Sequence, residues 1–335
     1  MSPIAHRLSA AWYGDAQPPA WARMLEPAYR AVVALRATAY RRGWRPSGHP
    51  GKPVIVIGNL TAGGAGKTPL VAWLVDALGA RGLHPAVISR GYGGAEPSSP
   101  YRVSADDEAA FSGDEPLLLA RMTGRPVWIC RDRLAAARAA VEAGADIIVA
   151  DDGLQHYRLR RDFEVAVIDS ERGLGNGRCL PAGPLREPAA RLQTVDFMVC
   201  NGDGPHCPVG GLGMSLEGRE AVRLDGAERR TLEAFRGVPV HAVAGIGHPE
   251  RFFRFLERQG LEVVRHPLPD HGQVPDALLT PADGRAVLMT SKDATRCLHR
   301  PAAAGAWQVP VVARLEQGGR PLLDQLAQRL GLREA

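Results

Sequence analysis

With 335 residues, 45% of them hydrophobic and 23% charged, the chain is too apolar to be disordered and long enough for two domains. Its net charge is +5, yet residues 1–52 alone hold eight arginines and lysines against Asp15 and Glu26, so the remainder is close to neutral and excludes a core built to grip nucleic acid. No apolar run reaches the roughly 18 residues of a membrane span, and MSPIAHRLSAAWYGD has too short an apolar core for a secretory signal. The five cysteines (Cys130, Cys179, Cys200, Cys207, Cys297) are scattered without a CxxC and read as reduced cytosolic thiols with no metal site.

In chain order, the first expected element is a helix over residues 21–42. Trp21, Met24, Leu25, Ala28, Tyr29, Val32, Leu35 and Ala39 recur at spacings of three and four. Pro27 predicts a kink, or a start near residue 26. A Gly/Pro-rich basic linker, RRGWRPSGHPGKP (41–53), follows. Strand-like runs then alternate with helical ones: VIVIGN (54–59), PAVIS (85–89), PVWIC (126–130), DIIVAD (146–151), FEVAVID (163–169) and DFMVC (196–200), with helices over 67–80, 115–123 and 132–143. Continuous apolar strands separated by helices predict a parallel sheet covered on both faces, a three-layer α/β/α core. Gly/Pro-rich text at 201–213 marks a boundary. Beyond it a second alternation runs through PVHAVAGIG (239–247), a helix over 249–259, LEVVRH (261–266), AVLMT (286–290) and VPVVARL (309–315). The expected organisation is a basic N-terminal helix and linker (1–52), a core (53–200) and a smaller C-terminal α/β domain (201–335).

The stretch IVIGNLTAGGAGKTPLVAWL (55–74) passes from strand through glycines to Lys67, Thr68 and a helix. That order suits a phosphate-binding loop, in which backbone N–H groups and a helix N-terminus hold phosphate oxygens. The loop comprises Thr61, Ala62, Gly63, Gly64, Ala65, Gly66, Lys67 and Thr68, with Thr61 where the usual first glycine stands. Lys67 would reach the β- and γ-phosphates, and the Thr68 hydroxyl would hold magnesium. Only three lysines occur among 41 basic residues, which singles out Lys67 in a chain that otherwise uses arginine. The plainer alternative is a strand-to-helix turn that needs glycine. Asp151 and Asp152 end an apolar strand, where a phosphate-loop protein carries an acid for magnesium and where a solvated turn is also common. A partitioning-type ATPase switch, the rival reading, carries a lysine just before the double glycine; here that residue is Ala62.

Four further stretches, VISRGYGG (87–94), SGDEPLLLA (112–120), DDGLQHYRLRRD (151–162) and NGRCLPAGPLREP (176–188), complete an ordered set with GNLTAGGAGKTP (58–69). Together they resemble the tetraacyldisaccharide 4′-kinases, the lipid A 4′-kinases of Gram-negative envelopes, from about residue 12 to about residue 295. The resemblance implies a P-loop kinase that transfers the ATP γ-phosphate to the 4′-hydroxyl of a tetraacylated glucosamine disaccharide 1-phosphate, giving lipid IVA. It implies ATP and magnesium as cofactors, and peripheral association with the cytoplasmic face of the inner membrane through the N-terminal helix. No nucleic acid and no obligate protein partner are expected. By the same resemblance Asp114 is the catalytic base and His271, in PLPDHGQ (267–273), its partner. Gln155, His156, Arg186 and Glu187 line the nucleotide site, Asp151 and Asp152 lie on the metal side, Asn59 lies by the substrate, and Arg90 and Tyr92 lie beside the substrate or the nucleotide. The family's TEKD segment reads TSKD here (290–293).

Read from the residues alone, a carboxylate must orient a sugar hydroxyl and accept its proton. Asp114 follows Ser112-Gly113 at a helix start, which favours an ionised base and equally suits a helix cap. Arg186 and Glu187 suit phosphate recognition or an ion pair that pins their loop, and His156 suits the nucleotide site or the core. The +6 charge of residues 1–52 and the aromatics Trp12, Tyr13, Trp21 and Trp44 suit an anionic membrane surface.

Overall fold

The computed structural model describes residues 3–332. In chain order α1 (Pro3–Tyr13) and α2 (Ala20–Arg41) precede β1 (Val54–Gly58), α3 (Lys67–Ala80), β2 (Pro85–Ser89), β3 (Tyr101–Arg102), α4 (Ala109–Ser112), α5 (Asp114–Thr123), β4 (Val127–Ile129), α6 (Arg133–Glu142), β5 (Ile147–Asp151), β6 (Phe163–Asp169) and β7 (Phe197–Asn201). Then come β8 (Leu212–Glu217), β9 (Glu220–Arg223), β10 (Arg229–Thr231), β11 (Val240–Ala244), α7 (Pro249–Arg258), β12 (Val263–Pro267), α8 (Asp276–Leu279), β13 (Val287–Thr290), α9 (Ser291–Thr295), β14 (Trp307–Val309), β15 (Val312–Leu315) and α10 (Arg320–Leu330).

The larger sheet runs β15-β8-β7-β6-β1-β5-β2-β4-β3, parallel from β8 to β4 with antiparallel β15 and β3 at its edges. Every residue of β1, β2, β5 and β6 is buried, because alternate side chains face two different cores. Ile55 and Ile57 pack with Leu70, Leu74, Leu117 and Leu322 from α3, α5 and α10. Val54 and Val56 pack on the other face with Leu134, Ala136 and Ala140 of α6. Each such large side chain contributes on the order of 2 kcal/mol. The layering is the α/β/α expected from the sequence.

The second sheet runs β10-β9-β14-β13-β11-β12, with β12, β11, β13 and β14 parallel. Its boundaries correct the division at residue 200. Strand β8 continues the large sheet parallel to β7. The run VPVVARL is two strands in two sheets: β14 ends at Val309, and β15, past Pro310, pairs with β8. Proline has no N–H to give a ladder, so the chain leaves one sheet there and joins the other. Helix α10 then packs on the core of the large sheet.

Two expectations about the remaining segments also change. Helix α2 runs unbroken through Pro27 from Ala20. Cys200 and Cys207 form a disulfide, with Cα atoms 5.6 Å apart, while Cys130, Cys179 and Cys297 are free and buried. The glycine-rich loop after β7 folds back on its own strand, a proximity that cysteine spacing does not signal.

Candidate active site

The carboxyl ends of parallel strands form the usual ligand crevice of an α/β sheet. Strand β1 lies between β5 and β6, with Ile57 opposite Asp151 and Gly58 opposite Ala166. The loop leaving β1 therefore emerges beside the two aspartates at the end of β5. The glycine Gly66 caps α3 at φ +86°, and a side-chain carbon there would fall 2.1 Å from Asn201 Nδ2, which itself donates to Ala65 O at 3.0 Å. Only glycine fits this turn. Lys67 follows, buried at 9% exposure, its Nζ 3.0 Å from Asn59 Oδ1 and 3.3 Å from Asp152 Oδ1. Thr68 lies in the first turn of α3.

Asn59 is fully buried and its Nδ2 donates to Thr61 O at 2.8 Å and Gly63 O at 3.2 Å, so its side chain pins the loop. Residues Thr61 and Ala62 are fixed from outside: Ala62 N donates to Pro184 O, and Tyr13 Oη lies 3.3 Å from Ala62 O.

The paired aspartates differ sharply. Asp152, at a left-handed φ of +49°, is held by Arg186 Nη1 at 2.9 and 3.1 Å and by Lys67. Burial alone would raise its pKa, but Lys67, Arg186 and Arg133 hold it well below the usual carboxylate range. Asp151 is 1% exposed and neither of its oxygens has a hydrogen-bond partner. Burial, with Glu115 and Asp152 adding like charge, pushes its pKa well up against the pull of Lys67 and Arg133. Around them Gln155 Nε2 donates to Glu187 Oε2 at 3.0 Å, and Tyr157 Oη donates to Glu187 Oε1. His156 is driven down to about 3 by burial, with Arg133 and Arg161 adding to the effect, and its Nε2 is buried without a partner.

A second centre joins the two domains. Asp114 begins α5, which packs against α3. It is 4% exposed, and its Oδ2 lies 3.0 Å from His271 Nδ1 and 3.4 Å from Arg296 Nε. Burial opposes its ionisation, yet His271, Lys292 and Arg296 together hold its pKa below the ordinary value. The bond to Asp114 raises the pKa of His271. His271 stands at φ +59°, a strained backbone for a non-glycine residue of the kind that clusters at functional sites. Tyr92 is exposed, its ring edge-on to His271 at 5.5 Å, and Arg90 pairs with Glu96. The RGYGG loop packs closely on the end of α4, where a side-chain carbon on Gly94 would fall 2.4 Å from Phe111 O.

Several residues of the site carry no signal in the sequence. Arg133 is 6% exposed and donates to Asp152 O at 2.8 Å. Arg172 donates to Gly247 O at 2.9 Å, and Arg251 of α7 reaches Asp169 Oδ1 at 2.8 Å, both tying the small domain to the core. Each is a lone arginine in an unremarkable helix or loop.

The comparisons with known proteins agree on one family. Residues 20–330 match the family described as tetraacyldisaccharide-1-P 4′-kinase. The chain is 48% identical over 318 residues to a tetraacyldisaccharide 4′-kinase of Alkalilimnicola ehrlichii, covering 94% of this chain and 95% of that one. To the protein of the same description from Pseudomonas aeruginosa it is 47% identical over 312 residues, covering 92% and 93%. A crystal structure of LpxK from Aquifex aeolicus in complex with ATP superposes with a TM-score of 0.75 at 26% identity, covering 91% of this chain and 97% of that one.

Proposed function

We propose, for a chain that belongs to the tetraacyldisaccharide-1-P 4′-kinase family, that Asp114 receives the proton of the acceptor hydroxyl while the Lys67 loop holds the donor phosphates. The reaction itself follows from the family: ATP-dependent phosphorylation of the 4′-hydroxyl of a tetraacylated disaccharide 1-phosphate in lipid A biosynthesis. The observation that carries the assignment is Asp114, a buried carboxylate kept ionised by His271 and Arg296 on a helix packed against the helix of the phosphate loop. An ionised carboxylate can orient a sugar hydroxyl and take its proton as the phosphoryl group transfers. The like-for-like family match leaves the ATPase-switch reading without support, and Ala62 lacks the lysine it needs.

Magnesium accompanies ATP in this family, and the residues fit it. Asp151 has two buried, unpartnered oxygens, whereas Asp152 is already engaged by Lys67 and Arg186. Asp151 and Thr68 would hold the ion, which when bound shields phosphate charge. Arg186 fixes Asp152, and Glu187 fixes Gln155 and Tyr157, so the lining residues hold one another in place. We expect Asp151→Asn to raise the magnesium concentration for half-maximal rate by about tenfold or more, as read by titrating activity with the metal. An unchanged magnesium dependence would remove Asp151 from the ion's shell.

The membrane assignment rests on α2. Its stripe of Trp21, Met24, Leu25, Val32 and Leu35 points away from the protein, each residue between 47% and 79% exposed. The opposite face docks: Glu26 accepts from Arg178 and Cys179 N, and Tyr29 Oη donates to Arg186 O. The helix is therefore docked on the core by one face. Trp12 and Tyr13 turn inward to Pro181 and Ala62, which leaves Trp21 and Trp44 as the exposed aromatics. No helix among the described residues is long and apolar enough to cross a membrane. An exposed apolar stripe on a basic segment suits immersion in an anionic lipid surface, here the cytoplasmic face of the inner membrane, directly over the LREP loop. With on the order of 2 kcal/mol available per large side chain buried, Trp21→Ser with Leu35→Ser should weaken binding to anionic vesicles by at least about tenfold. Vesicle sedimentation of the folded double variant checks this, and undiminished binding would move the anchor elsewhere.

A further inference from the structure

The disulfide between Cys200 and Cys207 ties β7 to the loop that follows it and takes no part in the chemistry described so far. Cys200 is the next-to-last residue of β7, 1% exposed and set between Ile168 of β6 and Gly213 of β8. Cys207 lies exposed in the loop GDGPHCPVGG (202–211). Cys130, Cys179 and Cys297 are free and buried, so the accessible sulfur chemistry of the chain is confined to the bridged pair.

The bridge stands beside the phosphate loop. Asn201, the next residue, is buried, and it is this side chain that donates to Ala65 O and leaves room only for glycine at position 66. Its own carbonyl accepts from Ser170 N at 3.1 Å, Ser170 Oγ at 2.9 Å and Arg251 Nη2 at 3.2 Å. Ser170 is held in turn by the bridged loop: Gly204 N donates to its Oγ at 2.9 Å and His206 N to its O at 3.0 Å. The packing is close, since a side-chain carbon on Gly204 would fall 2.3 Å from Ser170 O, and one on Gly211 would fall 2.7 and 2.8 Å from the two sulfurs. Two residues past Ser170, Arg172 reaches Gly247 O of the small domain. The bridged loop thus supports the seat of the phosphate loop and, through Arg251 and Arg172, the contacts that hold the small domain.

Cys200 is fixed by strands on both sides, so opening the bridge moves Cys207 and its glycine- and proline-rich loop. Once freed, that loop keeps only backbone bonds to Ser170, and ordering it opposes nucleotide binding. We propose that Cys200 and Cys207 form a reversible thiol–disulfide switch that sets ATP affinity, the disulfide form binding ATP more tightly. The exposed sulfur is the point of attack. A small thiolate of the glutathione class attacks Cys207 Sγ, the bond to Cys200 breaks, and Cys200 leaves as a thiolate that takes a proton. A second thiolate attacks the outer sulfur of the mixed disulfide, releasing Cys207 as a thiol and the reductant as its disulfide. Two small thiols are oxidised for each bridge reduced, and the same steps in reverse close the bridge with the small disulfide as oxidant. Where glutathione keeps thiols reduced, a bridge with an exposed sulfur serves sensing and not permanent stability.

The full chain is equilibrated in glutathione buffers from reducing to oxidising, and its free thiols are alkylated and counted by mass. ATP affinity is then measured calorimetrically with magnesium and without lipid acceptor, so the outcome is independent of Asp114. The disulfide form should bind ATP about five- to tenfold more tightly, at the lower end of coupling between sites. The effect is reciprocal: saturating ATP should shift the glutathione equilibrium of the pair towards the disulfide by the same factor. Cys207→Ser should keep the reduced-state affinity in every buffer. Equal ATP affinity in the two forms would overturn the proposal, as would a pair that stays in one state across all the buffers. So would a Cys207→Ser protein whose affinity still follows the buffer. Should that variant fail to fold, the two forms of the wild-type chain decide.

Discussion

Asp114→Asn should lower kcat by about 10²–10⁴-fold, the span general-base groups contribute, while leaving the fold and ATP affinity close to wild type. The amide keeps the size of the side chain and can still meet His271 and Arg296, but it cannot take a proton. The carboxylate's pKa is held down by His271, Lys292 and Arg296 against the effect of burial, so Asp114 stays ionised into mildly acidic buffer. Acidification through its folded pKa protonates it and removes activity; raising pH from neutral does not. Steady-state rates across pH, beside a thermal melt, check both points. Near-normal turnover in a folded Asp114→Asn protein would end the base assignment.

Lys67→Ala should be nearly as damaging, with a loss of about 10²–10³-fold in kcat, typical of removing one preorganised donor to a reacting centre. The ammonium is buried at 9% exposure and is held by Asn59 and Asp152, so its direction is fixed by the protein's own groups. The variant also strips Asp152 of one of its two cationic side-chain partners. Arg186 remains bound to Asp152 and limits the structural damage. Lys67→Arg should rescue little, because a planar guanidinium cannot occupy the compact space beside Asn59. Turnover assays with ATP binding measured separately would separate lost transfer from lost affinity.

Much of the architecture is legible in the chain because its central strands are buried on both faces. VIVIG, IIVAD and FEVAVID have no polar face to confuse with a solvent-facing strand, and the helices between them follow. The passage of the chain from one sheet to the other at Pro310 was not legible, since a proline inside an apolar run marks an edge without saying whose edge. For α2 the periodicity revealed a stripe but not its direction. Glu26 and Ala22, not the large apolar residues, face the protein, and only tertiary contacts decide that. The candidate site divides the same way. The glycine loop and the aspartate pair stand out locally, but which aspartate is free depends on Arg186 and Lys67 arriving from other loops. The bonds by which Asn59 staples the loop, to Thr61 O and Gly63 O, are not visible in the sequence. Arg133, Arg296 and Lys292 are single residues whose meaning comes from a partner far away in sequence.

The most direct measurement is a single-turnover experiment in which enzyme preloaded with ATP and magnesium is mixed with the tetraacylated disaccharide 1-phosphate, comparing wild type with Asp114→Asn. The expected result is normal ATP loading in both proteins, rapid formation of the doubly phosphorylated lipid by wild type, and transfer slowed by orders of magnitude in the variant. Equal transfer rates in the two proteins, or release of phosphate to water without any phosphorylated lipid in wild type, would contradict the account.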